Sequence, residues 1–275
     1  MSNDIDHIRS KQRDIWATGD FSIIGRNTVY PGETLIESTG VSASQRIIDV
    51  ACGSGNLALS AARRNCVAYG IDYVPALIDR AKARAIAEGL SVDFSVSDCE
   101  QMPFEDNFFD RVFSIFGVMF SPDPFQASNE LMRVCKPGGK VALGNWVPEG
   151  FWGEAFSVLA GFSNLPKLPN SPIDWGRETF LNELFGSRCR MVQHKKRTAY
   201  FRYESVDHWI EVFTKNFGPL MSALKNLETN KRQALIQKLR QILNKFNVSE
   251  DATLVVGADY LEVVMVKDQT KAQLI

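Results

Sequence analysis

Histidine is scarce in this 275-residue chain, with only His7, His194 and His208, and none of the five cysteines forms a Cys-x-x-Cys pair. An odd, scattered set (Cys52, Cys66, Cys99, Cys135, Cys189) suits reduced thiols in a cytoplasmic setting. It argues against a zinc cluster and against a disulfide framework, so no metal is expected. No apolar run reaches the roughly 18 residues that a bilayer-spanning helix needs, so integral membrane association is not expected. The opening residues carry Asp4, Asp6, Arg9, Lys11, Arg13 and Asp14, and so lack the apolar centre of a secretory signal. A formal net charge of -1 lacks the basic excess that nucleic-acid binding requires. What remains is an ordinary globular composition, 45% hydrophobic and 23% charged, in a chain long enough for one elaborated α/β domain or two domains.

From Arg46 onward, short β-rich runs alternate with longer helical ones, the pattern of a parallel sheet with crossover helices. Strands are expected at Arg46–Val50, Val67–Ile71, Val92–Val96, Arg111–Phe116 and Lys140–Trp146. The intervening helices are expected at Asn56–Arg64, Pro75–Glu88 and Pro124–Cys135. Pro75 near the start and Gly89 just past the end delimit the second of these. Pro137-Gly138-Gly139 is expected to stop the third. Further on, Phe151–Phe162 and Glu178–Phe185 read as helices, while Pro166, Pro169 and Pro172 enforce an extended loop. Two final strands, Met191–Tyr203 and Leu254–Val266, flank a stretch in which Leu235, Leu239, Ile242 and Phe246 recur at helical spacing. That stretch, Val206 to Phe246, is expected to hold two helices. Residues 1–45 form an N-terminal arm and helix, 46–150 a ligand-binding core, and 151–275 the rest of the sheet. An insertion at about 205–250 is a candidate lid over the carboxyl edge of the sheet, where open α/β sheets bind ligands.

The strongest local pattern is Ile47-Ile48-Asp49-Val50-Ala51-Cys52-Gly53-Ser54-Gly55-Asn56, a buried strand running into a glycine turn and a helix. Small residues there let backbone N–H groups approach a ligand. Gly53-x-Gly55-x-x-Ala58 alone also satisfies a dinucleotide fingerprint. Asp49 separates the two readings. A carboxylate at the strand mouth repels a diphosphate, whereas the ammonium of an amino-acid tail beside a sulfonium is attracted to it. At ~4 Å and an effective dielectric near 20, one charge pair is worth about 4 kcal/mol, enough to choose between ligand classes. Asp72, 17 residues beyond Gly55, is placed to accept ribose hydroxyls, with Tyr73 beside it as a further cofactor contact. Asp98, just past the third strand, can accept from adenine's exocyclic amine, and the backbone of Cys99 can serve a ring nitrogen. Each aspartate alone is explained as readily by loop capping; three at successive strand ends are not.

These segments resemble the class I S-adenosylmethionine (SAM)-dependent methyltransferases, and in particular the small-molecule branch that includes ubiquinone and menaquinone methyltransferases. The resemblance is carried by Asp49-Val-Ala-Cys-Gly-Ser-Gly55, Gly70-Ile-Asp72, Asp98-Cys-Glu-Gln-Met-Pro-Phe104, Phe109-Asp110 and Arg133-Val-Cys-Lys-Pro-Gly-Gly139, over roughly residues 46 to 146. It implies an α/β, Rossmann-like fold: a seven-stranded, mostly parallel sheet with an antiparallel last strand and helices on both faces. It also implies SAM as cofactor, with Asp49, Ala51, Gly53 and Gly55 at the methionine end, Asp72 at the ribose, and Asp98 with Cys99 at the adenine. Ala51 stands where the family has its first glycine, a mild change if only size matters. Cys99 stands where alanine is usual, and its thiol is expected to be a filler rather than a nucleophile.

Methyl transfer from a sulfonium needs alignment more than a catalytic triad, and alignment can contribute ~7–11 kcal/mol. No general base is assigned, since His194 and His208 have ordinary surface settings. Phe113-Ser-Ile-Phe116-Gly117-Val-Met-Phe120 follows the fourth strand and lacks the Asn/Asp-Pro-Pro-Tyr sequence of enzymes that methylate amide or adenine nitrogens. Phe116, Met119 and Phe120 point instead to an apolar acceptor pocket, with Phe116 near the sulfonium as a cation–π partner. Trp16 is a candidate to close the site, and Trp146, Trp152, Phe156, Trp175 and Trp209 hint at a flat or lipid-like acceptor. Two rivals stand beside this reading. One is an NAD(P)-dependent oxidoreductase using the same turn, disfavoured by Asp49 and by the lack of a Tyr-x-x-x-Lys pair after the fourth strand. The other is a non-catalytic partner subunit of the same fold, disfavoured by the intact cofactor loop.

Overall fold

The computed structural model describes residues 2–162 and 170–269. Seven strands form one sheet in the order β3-β2-β1-β4-β5-β7-β6. The strands are β1 (Arg46–Val50), β2 (Val67–Asp72), β3 (Val92–Val96), β4 (Phe109–Ile115), β5 (Cys135–Trp146), β6 (Cys189–Tyr203) and β7 (Leu254–Lys267). The first five run parallel, and β7 pairs antiparallel with both β5 and β6. The expected seven-stranded, mostly parallel architecture is what the chain adopts.

Side-chain alternation sends Ile47, Ala68, Phe113 and Ala142 to one face and Ile48, Ile71, Val112 and Val141 to the other. Both faces are buried, which is why these strands are apolar on both sides. Helices α3 (Val29–Ser38) and α4 (Asn56–Arg63) cover the first face, through Leu35, Ile36, Leu57 and Ala61. Helix α5 (Pro75–Glu88) joins α4 there, burying Ile78, Ala81 and Ala85 against Phe94. Its end is set by Gly89, left-handed at φ 64°. Helices α6 (Pro124–Val134), α7 (Phe151–Phe162) and α8 (Glu178–Phe185) lie in the core of the second face.

The N-terminal segment holds more than one helix: α1 (Ser2–Trp16), α2 (Phe21–Gly25) and α3 precede the sheet. Between β6 and β7 the chain forms three helices where two were expected: α9 (Val206–Asn216), α10 (Gly218–Lys225) and α11 (Thr229–Phe246). Pro219, in the first turn of α10, has no N–H to extend α9, so the chain breaks at Phe217 and restarts. Gly218 is required at the break, because a Cβ there would lie 2.0 Å from the Ile15 carbonyl oxygen of α1. Leu235, Leu239 and Ile242 bury the inner face of α11, and half-buried Phe246 meets Phe151 edge-on at 5.9 Å. Helix α6 ends at Val134, before the Pro-Gly-Gly, and Cys135 already pairs with Phe109 as β5 begins. Of the three prolines expected to enforce a loop, Pro166 and Pro169 lie outside the described residues, and Pro172 opens a short 3-10 turn, Pro172–Gly176. No helix among the described residues is long and apolar enough to cross a membrane.

Candidate functional site

Asp49, Asp72 and Asp98 come from the carboxyl ends of three adjacent strands, so the sheet itself brings them to one edge. In register, Asp49 faces Gly70 across to β2, and Asp72 faces Val96 across to β3. A cleft of about 730 Å³, counted with the solvent-open space at its mouth, opens over that edge. A second chamber of about 390 Å³ adjoins it and shares Ala51, Asp72, Tyr73, Gly117 and Phe120 with it. Asp49, Ala51, Gly53, Asp72, Tyr73 and Phe116 line the larger chamber; Asp98 and Cys99 line the smaller one. Gly55 lines neither. Its part is to shape the turn, at φ 83°, where a Cβ would lie 2.7 Å from the Phe94 ring.

Asp49 is 2% exposed, and its Oδ2 accepts from the Ala58 amide at 3.1 Å, in the first turn of α4. It therefore caps the helix and borders the cleft at the same time. Burial raises its carboxyl to about 7, with the amide of Ala58 opposing the rise and the charge of Asp72 adding to it. Asp72 accepts from the Gly53 amide (2.9 Å) and the Val74 amide (2.9 Å). Burial raises it to about 6 against those two bonds. The glycine turn thus satisfies much of its own backbone: Cys52 N–H donates to Ile71 O, Gly53 N–H to Asp72, and Gly55 N–H to Cys52 O. Fewer turn amides are open to a ligand anion than the glycine spacing alone implies. Among the described residues lining the larger chamber, none is Lys, Arg or His. Its electrostatic character there is set by two buried carboxyls.

Backbone strain concentrates at the same place. Among the described residues five non-glycine positions have positive φ, and two of them, Ala51 (55°) and Phe116 (57°), line the larger chamber. Alanine at a left-handed position costs about 1–2 kcal/mol relative to a relaxed one. The exchange at Ala51 is therefore not the mild change its size implied: glycine is favoured there for its φ, not for its volume. Gly117 packs against it, and a Cβ on Gly117 would lie 2.6 Å from both the Cβ and the carbonyl oxygen of Ala51.

The opposite wall comes from the N-terminal helices; Trp16, the residue expected to close the site, lies in it, while Phe21, Arg9 and Gln12 were not connected to the site by sequence patterns. Trp16 and Phe21 line the larger chamber, and Trp16 meets Phe120 edge-on at 4.8 Å. Asp20 caps α2 through the Ser22 amide and pairs with Arg80 of α5 at 2.7 Å, fixing the arm to the core. Asn56 Nδ2 donates to Gly25 O at 2.8 Å, and Arg84 reaches Ser54 O and Asn56 Oδ1 at 2.6 and 2.7 Å. Arg9 and Gln12 of α1 line the smaller chamber. Arg9 pairs with Glu100 and lies 2.9 Å from Asp98 Oδ2, while Asp98 Oδ1 accepts from the Glu100 amide at 2.8 Å. Besides Trp16 itself, the sequence signal for this wall is the spacing of Arg9, Gln12 and Trp16, which share one helix face.

Several expected acceptor contacts fall elsewhere. Phe116 borders the cleft but also stacks on Trp146 at 3.6 Å, and Met119 is 1% exposed and lines neither chamber. Trp146, Trp152, Trp175 and Trp209 are buried core residues. Trp209 stacks on Phe213 at 3.8 Å, and Trp175 packs near Phe180 and Phe185. These large rings fill the space between helices and sheet, and none lines the cleft; Trp152, Phe156 and Trp209 border a separate small apolar chamber. His194 pairs with Glu178 at the surface, and His208 Nδ1 accepts from the Glu204 amide; neither reaches the cleft. Burial holds the Cys99 thiol well above its ordinary range, so it stays protonated.

Residues 48–143 match the family model described as a methyltransferase domain. The uncharacterized protein Rv1405c of Mycobacterium tuberculosis is 32% identical over 227 residues, covering 81% of this chain and 82% of that protein. A demethylmenaquinone methyltransferase of Deinococcus radiodurans is 34% identical over 118 residues, 42% of this chain and 49% of its own length. Among solved structures, the YcgJ protein of Bacillus subtilis shares the fold at 18% identity and a TM-score of 0.61, covering 88% of this chain and all of that one.

Proposed function

Because this chain belongs to the SAM-dependent methyltransferase family, we propose that it moves the methyl group of SAM to a small, apolar or aromatic acceptor. The observation that carries the proposal is the pair of buried carboxyls, Asp49 and Asp72, in a chamber lined, among the described residues, by no basic side chain. Such a site favours a ligand with a cationic amino-acid end and disfavours a diphosphate. The residues fit the cofactor end to end. Asp49 with Ala51 and Gly53 would hold the methionine portion, Asp72 the ribose, and Asp98, Cys99 and Tyr73 the adenine, with Gly55 shaping the turn.

When bound, SAM supplies an activated methyl group whose leaving group is a neutral thioether. The chain's own task is alignment and exclusion of water. Trp16, Phe21, Phe116 and Phe120 wall the larger chamber with aromatic carbon, which suits an apolar acceptor and gives a cation a favourable lining. No side chain in that chamber is assigned as a general base. The helices α9–α11, in the stretch of about 205–250, we read as a lid held by a buried aromatic core and by surface pairs such as Lys245 with Glu154 at 2.6 Å. A cytoplasmic enzyme with a small-molecule acceptor, and without a nucleic-acid partner, accords with the acidic cleft and the near-neutral chain.

Titration calorimetry with SAM and with NADH tests the reading: SAM binds and NADH does not. Tight NADH binding with no response to SAM would overturn it. Asp72 holds the Gly53 amide on Oδ2 and the Val74 amide on Oδ1; Asp72→Asn keeps one of these bonds where alanine keeps neither, so it is the milder variant. Its SAM affinity is expected to fall at least about tenfold with unfolding still cooperative; unchanged affinity would place the ribose elsewhere.

A further inference from the structure

Helix α1 presents Arg9, Gln12 and Trp16 on one face, and that face lies over the cleft. Arg9 is anchored by Asp98 and Glu100, and Glu100 is itself 3% exposed and accepts from Ser121 Oγ at 2.6 Å and the Asp123 amide at 2.8 Å. Trp16 is anchored by the edges of Phe21, Phe120 and Phe217. Between these anchors Gln12 is 9% exposed, lines the smaller chamber, and its Oε1 has no hydrogen-bond partner among the described residues. Most buried side-chain amide oxygens in folded proteins are paired; that of Asn145 also lacks a partner among the described residues but borders none of these chambers, whereas Gln12 Oε1 borders one and can take a donor from outside the chain.

The second free acceptor in that chamber is on Asp98. Its Oδ1 holds the Glu100 amide, but Arg9 Nε, though 2.9 Å from Oδ2, makes no directed hydrogen bond. Two acceptor oxygens, Asp98 Oδ2 and Gln12 Oε1, therefore border one small chamber. A ligand group that satisfies both must present two donor hydrogens, as an exocyclic amine does.

We propose that Gln12 is an adenine-reading residue, its Oε1 accepting one proton of the exocyclic amine while Asp98 accepts the other. This rests on the SAM reading above and adds to it a specificity contact from the N-terminal helix. Gln12 thereby ties α1 to the cofactor, and α1 in turn packs on α10 through the Ile15 carbonyl against Gly218. The adenine end and the lid are then linked through one helix.

Calorimetric binding of S-adenosylhomocysteine and S-inosylhomocysteine to the full chain provides the test, because inosine replaces the amine by a carbonyl oxygen. The native chain prefers the adenosyl ligand by more than about a hundredfold, since a carbonyl facing two acceptors is repelled. In Gln12→Ala, and in the volume-matched Gln12→Met, that preference narrows by about tenfold while affinity for the inosyl ligand stays within about twofold. Asp98→Asn narrows it independently. Two results overturn the proposal while leaving the SAM reading intact: an unchanged preference, as when a water holds Gln12, or an equal loss for both ligands, as when Gln12 only packs. Absence of binding to either ligand by the native chain overturns both.

Discussion

The two walls of the cleft are built by different physics. The sheet-side wall is covalently close and internally satisfied: Asp49 caps α4, Asp72 holds two amides, and the glycine turn bonds to itself and to β2. The helical wall is assembled from residues distant in sequence, joined by ion pairs and aromatic edges, with Arg9 reaching Glu100 across 91 positions. The first wall is preorganised at a cost in desolvated carboxyls and left-handed backbone. The second keeps an amide oxygen, Gln12 Oε1, without a partner among the described residues, which a ligand can satisfy. The difference teaches that ligand class is set on one wall and closure on the other.

The sharpest way to break that division is Asp49→Asn, which keeps an oxygen to cap Ala58 and removes only the charge. SAM affinity is expected to fall on the order of a hundredfold, while methylthioadenosine, lacking the amino-acid tail, binds almost as before. Equal losses for both ligands would show that Asp49 serves the fold alone.

A pH series gives the next largest effect. Asp49 at about 7 and Asp72 at about 6 lie above the ordinary aspartate value of 3.8. The folded chain therefore retains protons that the unfolded chain has released, and stability is lost as pH rises from about 4 through 7. A cationic ligand needs the ionised carboxylates, so binding at pH 6 releases protons, and SAM affinity rises roughly tenfold from pH 5.5 to 7.5. Calorimetry in buffers of different ionisation enthalpy reads this directly; no buffer dependence would refute it.

On the helical wall, Arg9→Ala removes a partly exposed cation from buried Glu100. Stability is expected to fall by about 1 kcal/mol, with faster amide exchange confined to α1 and unchanged protection in β1 and α4. Uniformly faster exchange would erase the contrast between the walls. The smallest effect belongs to Ala51→Gly on the sheet side, which relieves a left-handed alanine and is expected to raise stability by about 0.5–1 kcal/mol in urea unfolding. Destabilisation would mean that the φ of Ala51 is not strained.

The same contrast explains what could be read from the chain beforehand. The sheet side was legible because its cues are local. Arg46–Val50, Pro75–Glu88, Val92–Val96 and Phe151–Phe162 follow from apolar period, Pro75 and Gly89, and the three aspartates follow from strand ends. On the helical side Trp16 was legible as a residue to close the site, but Arg9 and Gln12 were not, because nothing near them announces a partner on a distant loop. Trp152 and Trp209 misled for a related reason: composition shows that an aromatic is present, not which way its helix turns it. Ala51 shows a further limit, since size is visible in a sequence and φ is not.

The most direct test of the central claim is a crystal soaked with SAM and NADH together. The account predicts an adenosyl group bordered by Asp72, Asp98 and Gln12, with the amino-acid tail at the mouth of β1 beside Asp49. A diphosphate seated on the Ala51–Gly55 turn would contradict it.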